Sequence, residues 1–531
     1  MSAQERIPIV VGVTGHRNIR CEDRDALYSV VLAELTELQS RYPHSQIVML
    51  NSLAEGADQL CAEAAAACSI PLIVPLPMEQ KEYERDFSGE ALQRFRALCA
   101  TAKECFIAPA TEHVPGSPDR DFAYRQAGIY VATHAHILFA LWDGEPTPTS
   151  NCGTAEAVRF VTECAYQPAT IIQLRGFGTV LQIKTPRSGA DPKGEVGEKQ
   201  IIGDESSCLT ILARIDEFNR LAAQHVSPAP SLLPKEREPD IMLDRMESLY
   251  TEADALSIRF AKKYRRILAA LAVISTVITV SFLLYDEAEL HWMILVCGLM
   301  FLVAWLVQRH GKRSACHRRY LEYRTLAEGL RVQAFLRYAG SELLVSDILS
   351  WSEQAESGWI AAALKAAVIG AKPYGVHGIR EPWVEQQRQY HSRAAQKAKR
   401  AFLTSNRIVK TALWISIALY LSVLVFELIW GDLLPFGASV SDADRYRMLT
   451  KLLLGGVSAA TLFISNYYGR LSLSRVTSDC EKMERFYAAV SNRIDRNGQT
   501  DDLLLLLARE ELVENGNWCS YQRDNSADLS I

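Results

Sequence analysis

At 531 residues the chain is too long for one ordinary hydrophobic core, so two or more units are expected. The net charge is -5, and no block of basic residues is rich enough to suggest a nucleic-acid partner. Twelve cysteines form no CxxC pair, and the opening MSAQERIPIVV lacks the length and cleavage site of a secretory leader, so reduced, mostly buried cytosolic thiols are expected.

From residue 7 to about 175, apolar runs alternate with helical patterns. The runs IPIVVGV (7–13), QIVMLNS (46–52), PLIVPLP (71–77), CFIAPA (105–110), HILFALWDG (136–144) and TIIQLRG (170–176) read as strands. Helical stretches at 23–42, 54–68 and 154–165 lie between them. Unbroken apolar strands with helical crossovers predict an α/β, Rossmann-like, doubly wound parallel sheet covered on both faces.

Polar motifs fall where these strands end, which is where such sheets bind ligands. Thr14, Gly15, His16 and Arg17 follow the first strand, and SLAEGAD, with Glu55, Gly56 and Asp58, follows the second. Tyr83 and Asp86 follow the third, Asp143 and Gly144 end the fifth, and Gly153, Thr154 and Glu156 open the next helix. Glycines allow close backbone approach, helix N-termini and Arg17 suit phosphate, and the acids suit ribose hydroxyls. Each residue also has a plain structural use: Asp58 and Glu156 as first-turn acids, Asp143-Gly144 as a turn, His16 as a loop hydrogen-bonder. No GxxxxGK[ST] and no GxGxxG is present, so neither a Walker ATPase nor a typical dehydrogenase is supported. His134 and His136 flank a strand without a ligating companion, and no metal site is expected.

PRSGADPKGEVGEKQ (186–200) and SPAPSLLPKEREPD (227–240) read as loop and linker. A helix over 241–266 is expected to run into the first of four apolar stretches, at 267–285, 292–307, 411–430 and 452–468. These are long and uncharged enough to cross a bilayer, apart from Glu427 near the end of the third, and they form two hairpins. The outer ends are basic (Lys262, Lys263, Arg265, Arg266; Arg309, Lys312, Arg313; Lys397, Lys399, Arg400, Arg407; Arg470, Arg475) and the inner loops acidic or mixed. That asymmetry predicts a multi-pass inner-membrane protein with both termini in the cytoplasm. No span has a charge at its centre, which disfavours a carrier with an internal ion site. Gly455, Gly456, Ser458, Ala459 and Ala460 form a small-residue face suited to packing within the chain or between copies. A charged amphipathic helix trails each hairpin (317–339 and 471–494), the first with a stripe of Leu321, Leu326, Leu330, Phe335 and Leu336. Before the second hairpin, Trp383 and Tyr390 suggest a buried face.

Taken in order, GVTGHR, SLAEGAD, YERDF, AGIYVATHAHILFALWDG and GTAEAV resemble the SLOG superfamily (SMF/DprA–LOG-like Rossmannoid domains) over roughly the first 175 residues. The hairpins with their trailing YRTLAEGLR helix look like SLATT domains, two-helix membrane effectors. The resemblance implies a sensor of nucleotides, often NAD-derived, with Gly15, His16, Arg17, Gly153 and Thr154 meeting phosphates and Asp143 or Glu156 a ribose. It also implies a role in prokaryotic antiphage conflict through pore formation or membrane disruption. The phosphoribohydrolase signature PGGxGTxxE is incomplete here, since TSNCGTAEAV keeps Gly-Thr but lacks PGG, which favours binding without cleavage.

The resulting partition is a SLOG-like domain at 1–178, loop and linker at 179–240, a first SLATT-like unit at 241–345, connecting helices at 346–384, a second unit at 385–515 and a tail at 516–531. The function expected is a ligand-gated, homo-oligomeric membrane effector with a nucleotide ligand, no cofactor and no nucleic acid. The alternative is a membrane-tethered nucleotide N-glycosidase using Glu156 or Asp58, and a third reading is a passive membrane scaffold.

Overall fold

The unbroken apolar runs become the central strands because helices cover both faces of the sheet they form. The computed structural model describes residues 6–112, 119–145, 153–166, 178–189, 194–224, 232–234, 237, 239–349, 357–370, 375–429, 440–470 and 473–524. Its strands are β1 (Ile9–Gly15), β2 (Ile47–Leu50), β3 (Leu72–Leu76), β4 (Glu104–Ile107), β5 (Ile137–Trp142), β6 (Thr179–Lys184) and β7 (Lys199–Gly203). They form one sheet in the order β4-β3-β2-β1-β5-β6-β7. Every neighbouring pair is parallel except β6 with β7. The crossovers carry α1 (Arg24–Arg41), α2 (Ala57–Ala67), α3 (Gln80–Tyr83), α4 (Gly89–Thr101), α5 (Arg120–His134) and α6 (Thr154–Thr162). After β7 comes α7 (Glu205–Ala223).

The chain steps outward from β1 through β2, β3 and β4, then returns to place β5 on the other side of β1. The crevice between the carboxyl ends of β1 and β5 is therefore the switch point of the sheet, where adjoining loops diverge and leave room for a ligand.

One expectation is corrected. The stretch 179–240 is not merely loop and linker, because β6, β7 and α7 fall within it. TVLQIK in β6 alternates sides within a strand buried by its neighbours, and Gly203 ends β7 in a left-handed turn (φ 98°). The strand expected at 170–176 lies outside the described residues.

The chain divides into two compact units. The first comprises Met1–Leu256, Glu322–Gly378 and Thr500–Asn517, so the α/β domain is not closed at residue 178. Its later segments bring part of α8 (Ile241–Glu287) and α10 (Cys316–Tyr338), after an intervening α9 (Met293–Ser314). They also bring α11 (Val345–Ile348), α12 (Gly358–Ala367) and, across the later part of the chain, Thr500–Asn517. Leu326, Leu330, Phe335 and Leu336 of the expected stripe are fully buried there. Glu328 and Arg331 are buried too, and Arg331 donates to Glu328 (2.8 Å) and Glu511 (3.1 Å). A buried guanidinium of this kind is held in place by its paired carboxylates.

The second unit comprises Ser257–Leu321, Ile379–Gln499 and Trp518–Ile531. Here a π-helical turn (Arg380–Glu385) leads into α13 (Gln386–Ile429), followed by α14 (Val440–Arg470) and α15 (Leu473–Asn497), with the end of α16 (Asp501–Asp524) from Trp518 onward. Among the described residues four helices are long and apolar enough to cross a membrane, and between 0 and 11% of each apolar window is buried in the fold. Apolar surface left uncovered on this scale suits lipid rather than water. The expected helix before the first span is continuous with it, as α8 runs unbroken for 47 residues. In the small-residue face of α14, Gly455 abuts Leu283 of α8, while Gly456 faces open space. Lys451 on α14 also bonds Glu287 of α8 (3.0 Å). Trp383 is fully buried, but Tyr390 is half exposed, so the two do not share a buried face.

Candidate ligand site at the switch point

A cavity of about 550 Å³ opens at the carboxyl ends of β1 and β5. Small-molecule sites commonly enclose roughly 300–1,000 Å³, so the space is ample for a nucleotide-sized ligand. Eight of the residues named from the sequence line it: Thr14, Gly15, His16, Arg17, Asp58, Tyr83, Gly153 and Thr154.

The backbone explains why they converge. β1 ends at Gly15, where a side chain would collide with Ala57 at the start of α2. The Ala57 N–H donates to the His16 carbonyl (3.0 Å), pinning the N-terminus of α2 beneath the β1 loop. Gly56 takes the left-handed region (φ 87°) and lies so close to the Arg17 and His16 carbonyls that a Cβ has no space. Only glycine meets both conditions, and Asp58 is thereby carried to the cavity floor.

Asp58 is 7% exposed, and its carboxylate accepts a long hydrogen bond from the Ala54 N–H (3.3 Å). Burial pushes its carboxyl up to about 7, with the Ala54 N–H and the nearby Arg17 charge offsetting part of that rise. A carboxyl in this state can donate as well as accept a proton near neutrality.

His16 is also buried, and burial lowers its basicity against the opposing pull of Asp143. Its Nε2 accepts from the Asp143 backbone N–H (3.2 Å) and stands 3.2 Å from Asp143 Oδ1. The other carboxylate oxygen of Asp143 faces Arg187 Nε at 2.9 Å. Burial works to raise the Asp143 carboxyl, but the Glu145 N–H, His16 and Arg187 together hold it below its ordinary value. Asp143 is thus a bracket behind the cavity rather than part of its lining.

The remaining predictions fare differently. Glu55 and Gly144 are exposed and outside the lining, and the half-buried Gly56 is outside it too. Asp86 is engaged by the Tyr124 hydroxyl and by Arg120. Glu156 accepts from Arg125 (3.1 Å) and Arg159 (3.2 Å) and is likewise not in the lining. This first-turn acid of α6 is held by two guanidiniums.

Several lining residues were not foreseen: Asn18, Ser52, Asp121, Tyr124, Arg187 and Ser188. Asp121, Tyr124, Gly128 and Val131 follow one another at helical spacing on α5, a pattern legible in the sequence. Tyr124 stands under the Arg17 guanidinium (5.6 Å to the ring centroid) and beside Tyr83 (6.2 Å between centroids). Arg187 and Ser188 had no such signal. They reach the site because Ile19 and Arg187 form an antiparallel bridge and the Ser188 N–H donates to the Asn18 carbonyl (2.9 Å).

The lining thus offers two guanidiniums, two phenols, a neutral imidazole, the N-terminal ends of α2 and α6, and two carboxyls. That set can hold an anion, stack a planar ring and bond hydroxyls. Among the described residues no group of three His, Cys, Asp or Glu is arranged to hold a metal ion.

Residues 248–341 match a family model described as a protein of unknown function (DUF4231). The matched stretch takes in most of α8, all of α9 and α10, hence the first hairpin with its trailing helix. Neither a curated protein nor a solved structure matches the chain.

Proposed function

We propose that the chain is a ligand-gated membrane effector whose switch-point cavity binds a phosphorylated nucleotide, of which ADP-ribose is representative. The single observation that carries this reading is the joint presence of Arg17, Arg187, Tyr124 and two helix N-termini around one cavity. The anionic groups meet the guanidiniums, the base stacks on the tyrosines, and Asp58 and Asp121 bond hydroxyls. The resemblance to SLOG and SLATT domains supports the same assignment, including homo-oligomerisation and a role in prokaryotic conflict. Gating requires that the ligand bind one conformational state more tightly than the other, and the unbroken α8 is an element able to carry that difference. The test is calorimetry of the full-length protein in detergent with ADP-ribose, its cyclised forms and cyclic dinucleotides, each recovered afterwards. Saturable binding with the ligand intact supports the sensor. No binding across the set refutes it.

A second reading, an N-glycosidase, is favoured by one observation: Asp58 is a cavity carboxyl poised near neutrality. It predicts recovery of a cleaved ligand, and an Asp58→Asn protein that binds without cleaving.

A further inference from the structure

We propose that the basic ends of the first apolar hairpin form a binding site for the headgroups of anionic phospholipids. Gly311 of α9 lies against Ile267 of α8, where an added Cβ would stand 3.5 Å from the isoleucine side chain. That contact brings two short clusters level with each other. Lys262, Arg265 and Arg266 precede the apolar run of α8, and Arg309, Lys312 and Arg313 follow that of α9. All six are exposed. The chain holds no acid between Asp254 and Asp286, nor between Glu289 and Glu322. Among the described residues none of the six has a carboxylate partner.

Other helices of this chain pair their cations. Arg324 meets Glu328 on α10, Arg159 meets Glu163 on α6, and Lys482 meets Asp479 on α15. Like charges gathered on two adjoining helix ends repel one another unless a counter-charge lies over them. A layer of phosphodiesters supplies that charge, and clusters of Lys and Arg beside a membrane span recognise anionic headgroups in this way.

The level of the clusters fits that layer. The run 267–285 rises about 28 Å, close to the ~30 Å of a hydrocarbon core, so the cations stand where the headgroups begin. Each cluster, 262–266 and 309–313, extends about 6 Å along its helix, which matches the headgroup region on one side of a bilayer. Trp305 lies one turn inward, with the Arg309 guanidinium 5.2 Å from its ring centroid, and serves as an aromatic anchor at the boundary. The second hairpin differs, because α13 spreads its cations from Arg393 to Lys410 over about 26 Å, and most of them stand beyond the headgroups.

The experiment uses full-length protein in phosphatidylcholine liposomes with a minor fraction of lipid brominated on its acyl chains, either phosphatidylglycerol or phosphatidylcholine. Bromine quenches tryptophan emission on contact, and subtraction of the Trp305→Phe protein isolates the response of Trp305. The expected result is quenching of Trp305 by brominated phosphatidylglycerol at about one tenth of the mole fraction that brominated phosphatidylcholine needs. Arg265→Gln, Arg266→Gln, Lys312→Gln and Arg313→Gln made together abolish that preference, whereas Lys397→Gln, Lys399→Gln and Arg400→Gln together leave it intact. Trp292, about 20 Å away at the other end of α9 and isolated in the same way, shows no preference. Equal quenching of Trp305 by the two lipids overturns the proposal, as does a preference that survives the quadruple substitution. A preference that inorganic phosphate abolishes at constant ionic strength also overturns it, since a soluble anion is then the occupant. The proposal rests on the membrane-spanning reading of the hairpin, and alkaline extraction tells the two apart. Protein stripped from the liposomes overturns both; protein that stays in them without a lipid preference overturns this proposal alone.

Discussion

Asp58→Asn should make the switch-point loops more stable, although it removes a residue from the candidate site. The carboxyl is 7% exposed and held at about 7 by burial, against 3.8 for an ordinary aspartate. At about 1.4 kcal/mol per tenfold in proton affinity, ionising it in place costs the folded chain up to about 4 kcal/mol relative to the unfolded one. Water entering from the cavity screens part of that, leaving ~2 kcal/mol as the working figure. The sign follows from which state ionises first. The unfolded carboxyl loses its proton from about pH 4 upward, whereas the folded one keeps it until about pH 7. The wild-type chain therefore loses stability steadily between those values and no further above them. Asparagine does not titrate and still accepts the Ala54 N–H, so its advantage is absent near pH 4, grows across the window and levels off by pH 8. Hydrogen exchange of α2 peptides, wild-type and Asp58→Asn full-length proteins compared at each pH, reads about 30-fold slower opening in the mutant at pH 8. Equal protection at pH 8, or an advantage that grows on acidification, would refute the argument.

Other expectations follow from the same geometry. Arg187→Gln removes a charge-assisted contact worth about 1.5 kcal/mol and should weaken ADP-ribose binding about tenfold by calorimetry, whereas Arg159→Gln, on the far side of Glu156, should leave it unchanged. Gly56→Ala meets both a left-handed backbone and two carbonyl oxygens; a loss of about 2 kcal/mol or more is expected, seen as accelerated proteolysis of the loop after β2. Gly455→Leu should separate α14 from Leu283 and lower the melting temperature in detergent, while Gly456→Leu, facing open space, should not.

What the sequence disclosed and what it withheld divide along physical lines. The apolar runs around Val11, Val48 and Phe139 are buried on both faces, and such strands announce themselves without help from tertiary structure. So did the motifs whose residues act through backbone placed at a strand's end: Gly15, His16, Arg17 and Asp58. Arg187 was invisible because a solvated-looking Gly- and charge-rich stretch gave no sign that it would bridge to Ile19, 168 residues earlier in a chain whose sheet order decides the neighbourhood. Glu156 shows the converse. Its motif suggested a ligand contact but gave no sign that Arg125 of α5 and Arg159, three residues on in α6, would pair with the carboxylate. The small-residue face on α14 left two packing partners open, and only the close approach of Gly455 to Leu283 chose the intrachain one for that residue.

The most direct test of the account joins its two halves in one preparation. Full-length protein is reconstituted into dye-loaded liposomes and titrated with ADP-ribose and related nucleotides, with Arg17→Ala alongside. Dye release that saturates with the calorimetric binding curve, and shifts to higher ligand concentration in Arg17→Ala, is the predicted result. Tight binding with no change in permeability would contradict it.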